Sequence, residues 1–297
     1  MKRIPGDQEV AGQIHLSNGS GNFLIEDSRD ASKKIRVFYY KPREFNQDSR
    51  ILMVLPGTGR NGDDYRNSWV ELSEKYNVLI LSPSFNEIYY YFESYHLGGL
   101  RKIEGTNKVE LEETLLTYEI NTEESQWIYR QFDRIFDLTT ESLGSTQKTY
   151  DLFGHSAGGH ILHRMALFYT GEKADRILAS NASFYTLPTR EYRYPFGTGN
   201  LSFSEEDLLH AFRNNLVVFL GEKDNEMETS GTFLISESAD QQGSHRFARG
   251  THFFEVCKEI ARAKKMRFNW KLVTISGVGH DYRKMAVAAG RYLYQNP

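Results

Sequence analysis

Six short apolar-rich segments recur along this chain with helical patterns between them, and that alternation limits the fold more than any other feature. They lie at residues 50–55, 78–81, 150–153, 176–179, 216–220 and 270–275. In the first, Ile51 to Leu55 is apolar at five successive positions, as a strand buried on both faces requires. Between the segments, residues 123–142 carry the clearest helical pattern. Trp127, Ile128, Gln131, Phe132, Ile135 and Phe136 fall on one mostly apolar stripe. Asn121 or Thr122 is placed to cap this helix, Glu123 and Glu124 suit its positive end, and Gly144 stands where the chain leaves it. Further helices are read at 157–169, 252–265 and 282–294. Strands alternating with helices predict a mostly parallel α/β sheet with helices on both faces. The first forty residues differ. Residues 22–26 and 35–40, separated by the polar stretch 27–34, read as an antiparallel hairpin at the sheet edge. No linker or internal repeat divides the 297 residues, so a single domain over 1–297 is expected, with edge strands within 1–45.

Composition narrows the function classes. The chain is 39% hydrophobic and 25% charged, which excludes a disordered tail or a fibrous repeat. Cys257 is the single cysteine, so no intrachain disulfide forms. A net charge of −3 gives no sign of a nucleic-acid partner. The apolar runs are strand-sized, well short of the roughly 20 residues that span a bilayer. Met1-Lys2-Arg3 leads into Ile4-Pro5-Gly6-Asp7 rather than an apolar stretch. The expectation is a cytoplasmic chain if the sequence is complete, or an exported one if a leader was removed.

The strongest local motif is Gly154-His155-Ser156-Ala157-Gly158-Gly159. Its G-x-S-x-G spacing alone arises by chance in about one chain in ten of this length, given glycine and serine near 7% each. The flanks carry the information: a strand runs into the motif and a helix runs out. Such a turn strains its central residue and thrusts that side chain outward. It also leaves the Ala157 N–H at a helix start, where an oxyanion would form. The alternative is a glycine-rich turn with a solvated serine.

A serine nucleophile needs a base and the base needs an orienting carboxylate. His280 follows the last strand across 276–279 and precedes the last helix. Asp224 stands in the loop leaving strand 216–220, with Glu222 and Glu226 as competitors. The loop after strand 51–55, Pro56-Gly57-Thr58-Gly59, can turn the Thr58 N–H outward as a second oxyanion donor. His155, His160 and His163 could instead be read as a metal cluster, but no metal-ligand spacing supports one. Two aromatic stretches, 85–100 and 184–203, follow strands that should end at the same sheet edge. Tyr89, Tyr90, Tyr95, Tyr185, Tyr192 and Tyr194 are therefore candidates to wall a pocket above Ser156, with 184–213 as a small aromatic cap insertion. The alternative is aromatic packing within loops.

The span from Ile51 to His280 resembles the α/β-hydrolase superfamily, which uses the chain order nucleophile, acid, histidine that Ser156, Asp224 and His280 follow. The oxyanion-loop segment 56–65 and the Ser156 motif most resemble the polyhydroxybutyrate depolymerase and feruloyl esterase branch. That branch commonly has His-Gly where this chain has Pro56-Gly57. The resemblance implies an α/β-hydrolase fold and a serine hydrolase that cleaves a small or polymeric carboxylic ester through an acyl-enzyme, with no metal or organic cofactor. A serine peptidase of the same fold and a hydrolase-fold binding protein without turnover are the alternatives.

Overall fold

The apolar segments pair side by side in one eight-stranded sheet. The computed structural model describes residues 14–100, 119–226, 228, 230–231 and 233–295. Its strands are β1 (Gly19–Asp27), β2 (Asp30–Lys41), β3 (Ile51–Leu55), β4 (Leu79–Ser84), β5 (Tyr150–His155), β6 (Ala174–Ser180), β7 (Asn215–Gly221) and β8 (Lys271–Ile275). The helices are α1 (Gly62–Asn67), α2 (Val70–Tyr76), α3 (Phe92–His96), α4 (Tyr129–Leu143), α5 (Ala157–Phe168), α6 (Glu205–Arg213), α7 (Glu237–Asp240), α8 (Arg246–Ala263) and α9 (Tyr282–Tyr294). Strand order is β1-β2-β4-β3-β5-β6-β7-β8. The β1–β2 and β2–β4 pairs are antiparallel, and every pair from β4–β3 to β7–β8 is parallel.

Successive residues of a strand point to opposite faces, and β3 displays this directly. Ile51, Met53 and Leu55 enter the larger apolar cluster with Phe132 and Phe136 of α4, Ile161 of α5 and Phe253 of α8. Leu52 and Val54 enter a second cluster on the other face with Trp69 and with Met285, Ala289 and Leu293 of α9. All five β3 side chains are buried. Each such side chain contributes about 1.5–3 kcal/mol through removal from water, so both faces hold the sheet. Parallel strands covered this way end at one edge, and the loops there can carry chemistry.

Element boundaries differ from expectation where tertiary contacts outweigh local signals. The hairpin turn is only Ser28-Arg29, because Asp27 pairs with Asp30 and its carboxylate takes the Arg29 backbone N–H at 2.8 Å. The predicted helix at 123–142 begins at Tyr129, after a 3₁₀ turn at Glu124–Gln126. Asn121 does not cap it. Its side-chain amide bonds the Gly99 carbonyl, and its own carbonyl takes the Trp127 indole N–H. Gly144 ends α4 in the left-handed conformation at φ 60°, as expected. Helix α8 starts six residues before the expected His252, because His245 Nδ1 accepts the Ala248 N–H and caps it. Of the expected cap over 184–213, residues 205–213 form α6, which begins with a capping box between Ser204 and Asp207.

Candidate active site

Ser156 sits between β5 and α5 at φ 58° and ψ −113°. A non-glycine residue there costs on the order of 1 kcal/mol or more. The glycines around it permit the turn. A Cβ on Gly154 would lie 2.4 Å from the Gly158 carbonyl oxygen, and one on Gly158 would lie 2.3 Å from the Leu55 oxygen. The Ser156 N–H is spent on the Ser180 carbonyl at 2.9 Å, which ties the turn to β6. Its hydroxyl makes no hydrogen bond to any described residue, His280 included, and the residue is half-buried.

His280 and Asp224 meet. His280 Nδ1 lies 2.7 Å from Asp224 Oδ2. The bond places the histidine proton on Nδ1 and leaves Nε2 with its lone pair. Asp224 is buried and fully engaged. Oδ2 also accepts from Asn181 Nδ2 at 2.6 Å, and Oδ1 accepts from Arg246 Nη1 at 3.1 Å. Glu222 points elsewhere, to Ser276 Oγ and the Gly277 N–H, and Glu226 reaches Ser244 Oγ. The His280 backbone N–H donates to Glu228 Oε2 at 2.8 Å, and Ser230 N–H donates to Oε1 at 2.8 Å. Hydrogen bonds from Ser230 and from the His280 backbone bring the Glu228 carboxyl down to about 2. Gly231, at φ 71°, lies against the histidine ring: a Cβ there would meet His280 Cδ2 at 2.9 Å and Nε2 at 3.0 Å.

The loop after β3 faces Ser156. A Cβ on Gly57 would stand 3.6 Å from Ser156 Cβ. The Tyr65 hydroxyl stands against Gly57, where an added Cβ would meet it at 2.9 Å, while the Thr58 and Ala157 N–H groups donate to no described residue. Tyr65 in turn stacks on Tyr282, with centroids 4.2 Å apart and planes 9° from parallel. That stack joins the Thr58 loop to the segment that carries His280.

The tyrosines divide. Tyr90, Tyr95, Tyr185 and Tyr194 are buried and wall no open cleft. Their rings fill space behind the loops. The hydroxyls of Tyr90, Tyr95 and Tyr194 bond inward, to Asp27 Oδ2, the Pro56 oxygen and the Leu97 oxygen. Tyr185 stacks on Phe253. Tyr192 packs against the larger apolar cluster, and Tyr89 is exposed. The cavity beside Thr58 is lined instead by Arg60, Glu87, Tyr91, Phe92 and His96. A run of aromatics has no period that says which ring turns outward, so their spacing could not sort them.

The three histidines of the Ser156 region do not converge, and both His155 ring nitrogens are buried with no hydrogen-bond partner among the described residues. His155 packs on the His280 ring, His160 contacts His96 and Ser183, and His163 contacts the Gly159 oxygen and the Thr186 N–H. Burial, the largest cause, holds all three well below the usual histidine range. Among the described residues no three His, Cys, Asp or Glu side chains group as a metal site, and no helix is long and apolar enough to cross a membrane. Sequence reading passed over Asn181, Arg246, Glu228 and Tyr65. Asn181 follows β6 directly and so shared the strand-end signal. Arg246 comes from α8 and carried none.

No protein-family model and no curated protein sequence matches this chain. Solved structures do. Poly(aspartic acid) hydrolase-1 from Sphingomonas sp. KT-1 is 26% identical, with a TM-score of 0.83 over 95% of this chain and 100% of that one. The poly(3-hydroxybutyrate) depolymerase LpqC from Bordetella parapertussis is 24% identical, with a TM-score of 0.83 over 95% and 92%. An S-formylglutathione hydrolase from Agrobacterium tumefaciens shares the fold at 14% identity and a TM-score of 0.55, over 94% and 95%.

Proposed function

We propose that this protein, an α/β-hydrolase by fold, is a serine hydrolase that cleaves a carboxylic ester through an acyl-enzyme. Its neighbours in fold are hydrolases, depolymerases and esterases, which supports hydrolytic, ester-cleaving chemistry. The observation that carries the finer reading is the 2.7 Å Asp224–His280 bond at the sheet edge that also bears Ser156 on its strained turn. In this reading Ser156 Oγ attacks the ester carbonyl and His280 Nε2 takes its proton. Asp224 holds the tautomer and stabilises the imidazolium. The free N–H groups of Thr58 and Ala157 receive the oxyanion. His280 then protonates the leaving alkoxide, and water repeats the sequence on the acyl-enzyme. Asn181 and Arg246 fix Asp224, and Glu228 fixes the His280 backbone, so the chemistry stands on a rigid support.

A fluorophosphonate probe tests the nucleophile and a paired panel of esters and anilides tests the bond. Labelling of the wild type but not of Ser156→Ala, with esters turned over faster than anilides, is the expected result. Anilides preferred over matched esters would make it a peptidase or amidase. No labelling and no turnover would leave a binding protein.

A further inference from the structure

Beside the Thr58 loop lies a cavity of about 370 Å³ whose polar lining is unusual. Arg60 is buried, and among the described residues no carboxylate stands within ion-pair distance of it; Glu87 acts on it from across the cavity. Its guanidinium lies over the Tyr95 ring at 3.8 Å. Nη1 turns back to the Thr58 carbonyl at 3.2 Å, while Nε and Nη2 have no partner among the described residues. A buried polar donor left unpaired costs about 1–3 kcal/mol, and more when charged, so such a group is expected to meet a partner in use.

The histidine chain behind it fixes a second donor. The Ser183 N–H donates to His160 Nε2 at 2.8 Å, and the Ser183 hydroxyl lies 3.0 Å from the same nitrogen; with both donating, Nε2 is assigned the lone pair and Nδ1 the proton. His160 Nδ1–H points at His96 Nδ1, 3.2 Å away, which must accept. The His96 proton is therefore on Nε2. That nitrogen lies 3.3 Å from Arg60 Nη1. In this tautomer the two N–H groups do not bond each other. Nη1 keeps the Thr58 carbonyl as its acceptor, while His96 Nε2–H and the outer guanidinium nitrogen still need one, and both residues line the same cavity as Thr58.

Resting on the serine-hydrolase reading, we propose that Arg60 and His96 form an anion subsite that receives a carboxylate carried by the ester substrate. A planar carboxylate can accept from the guanidinium with one oxygen and from His96 Nε2–H with the other. Because Arg60 folds back onto Thr58, the carboxylate sits a short chain away from the carbonyl held at the Thr58 N–H. Glu87, exposed at the same cavity, adds a like charge that weakens the attraction without closing the site.

The test compares kcat/KM for matched esters. Mono-p-nitrophenyl glutarate and adipate are set against p-nitrophenyl pentanoate and hexanoate. A carboxylate on the alcohol side is examined with 4-acetoxybenzoate against 4-acetoxybenzamide. In the wild type one anionic series should exceed its neutral partner by at least tenfold, and the faster series tells which side of the ester carries the charge. In Arg60→Met that ratio should fall to about one, with Arg60→Lys between. Glu87→Gln should raise it several-fold, and this exposed position decides the matter if Arg60→Met does not fold. Equal rates for anionic and neutral esters in the wild type, or a preference unchanged in Arg60→Met, would overturn the subsite while turnover of neutral esters left the catalytic reading intact. Should no ester react, calorimetric titration with glutarate decides: binding by the wild type and its loss in Arg60→Met supports the subsite, and no binding by the wild type overturns it.

Discussion

At the scale of single residues, the three candidate catalytic side chains differ in what they do for the fold, and the difference is measurable. Ser156 makes no side-chain hydrogen bond. Ser156→Ala is expected to lower kcat by up to about 10⁶ while thermal melting barely moves. Asp224 is buried and bonded to His280, Asn181 and Arg246. Asp224→Asn should lower kcat by about 10⁴. It should also destabilise the protein by several kcal/mol, because Arg246 loses its buried counter-charge. Glu222→Gln should do neither, and steady-state kinetics with melting curves on the three variants reads the ranking. Glu228 holds the two N–H groups of Ser230 and His280 with its two oxygens. A glutamine has only one acceptor oxygen, so Glu228→Gln should lower kcat about tenfold, in keeping with a loss of roughly 1.4 kcal/mol, with a modest fall in melting temperature because the lowered carboxyl contributes to stability at neutral pH.

At the scale of elements, the candidate site is an agreement among separate loops. Tyr65 of α1 and Tyr282 of α9 stack, so the loop after β3 and the loop after β8 are joined through the helices that follow them. Gly231, far from both in sequence, lies against the His280 ring. Gly231→Ala places a methyl 2.9–3.0 Å from that ring, and the ring must turn away. The expected result is a fall in kcat of at least tenfold with a loss of about 1 kcal/mol in denaturant titration, the cost of φ > 0 without glycine. Gly158→Ala makes the contrasting case. Its added methyl meets the Leu55 backbone oxygen at 2.3 Å, and neither α5 nor β3 can yield. Overpacking of this kind costs about 1–3 kcal/mol or more. The variant should therefore lose melting temperature before any kinetic change can be assigned to it.

For the whole molecule, four buried histidines set the response to acid. Burial is the first cause that holds His96, His155, His160 and His163 well below the usual histidine value. In the unfolded chain they take up protons near pH 6.5, whereas in the folded chain they stay neutral to lower pH. Between those limits the unfolded state binds more protons, so stability rises with pH. The contribution is whole above about pH 6.5 and is lost as pH falls below it. With four groups acting together the slope reaches on the order of 5 kcal/mol per pH unit. Urea titrations at pH 7.5, 6.5 and 5.5 should show midpoints that change little between the first two and drop steeply to the third. A flat profile down to pH 5 would mean that the four rings are hydrated and protonated in place.

What the sequence determined by itself is the part of the molecule built from local periodicity. Alternating strands and helices, the all-apolar β3 and the glycines around Ser156 specify a parallel sheet with a tight strand-to-helix turn, because each depends on neighbours within a few residues. Strand-end position also brought out Asp224 and His280 as loop residues leaving β7 and β8. Only the tertiary structure decided what those loops touch. The 56-position separation of Asp224 and His280 carries no pattern that states a 2.7 Å contact. None of Arg246, Glu228 and Tyr65 announces its partner, since each meets it across separate elements. The same holds for the aromatic loops, where burial turned Tyr90, Tyr95, Tyr185 and Tyr194 inward and left Arg60 and His96 at the cavity. Which face of an irregular loop is wet is set by what packs beneath it, and that is a property of the assembled fold.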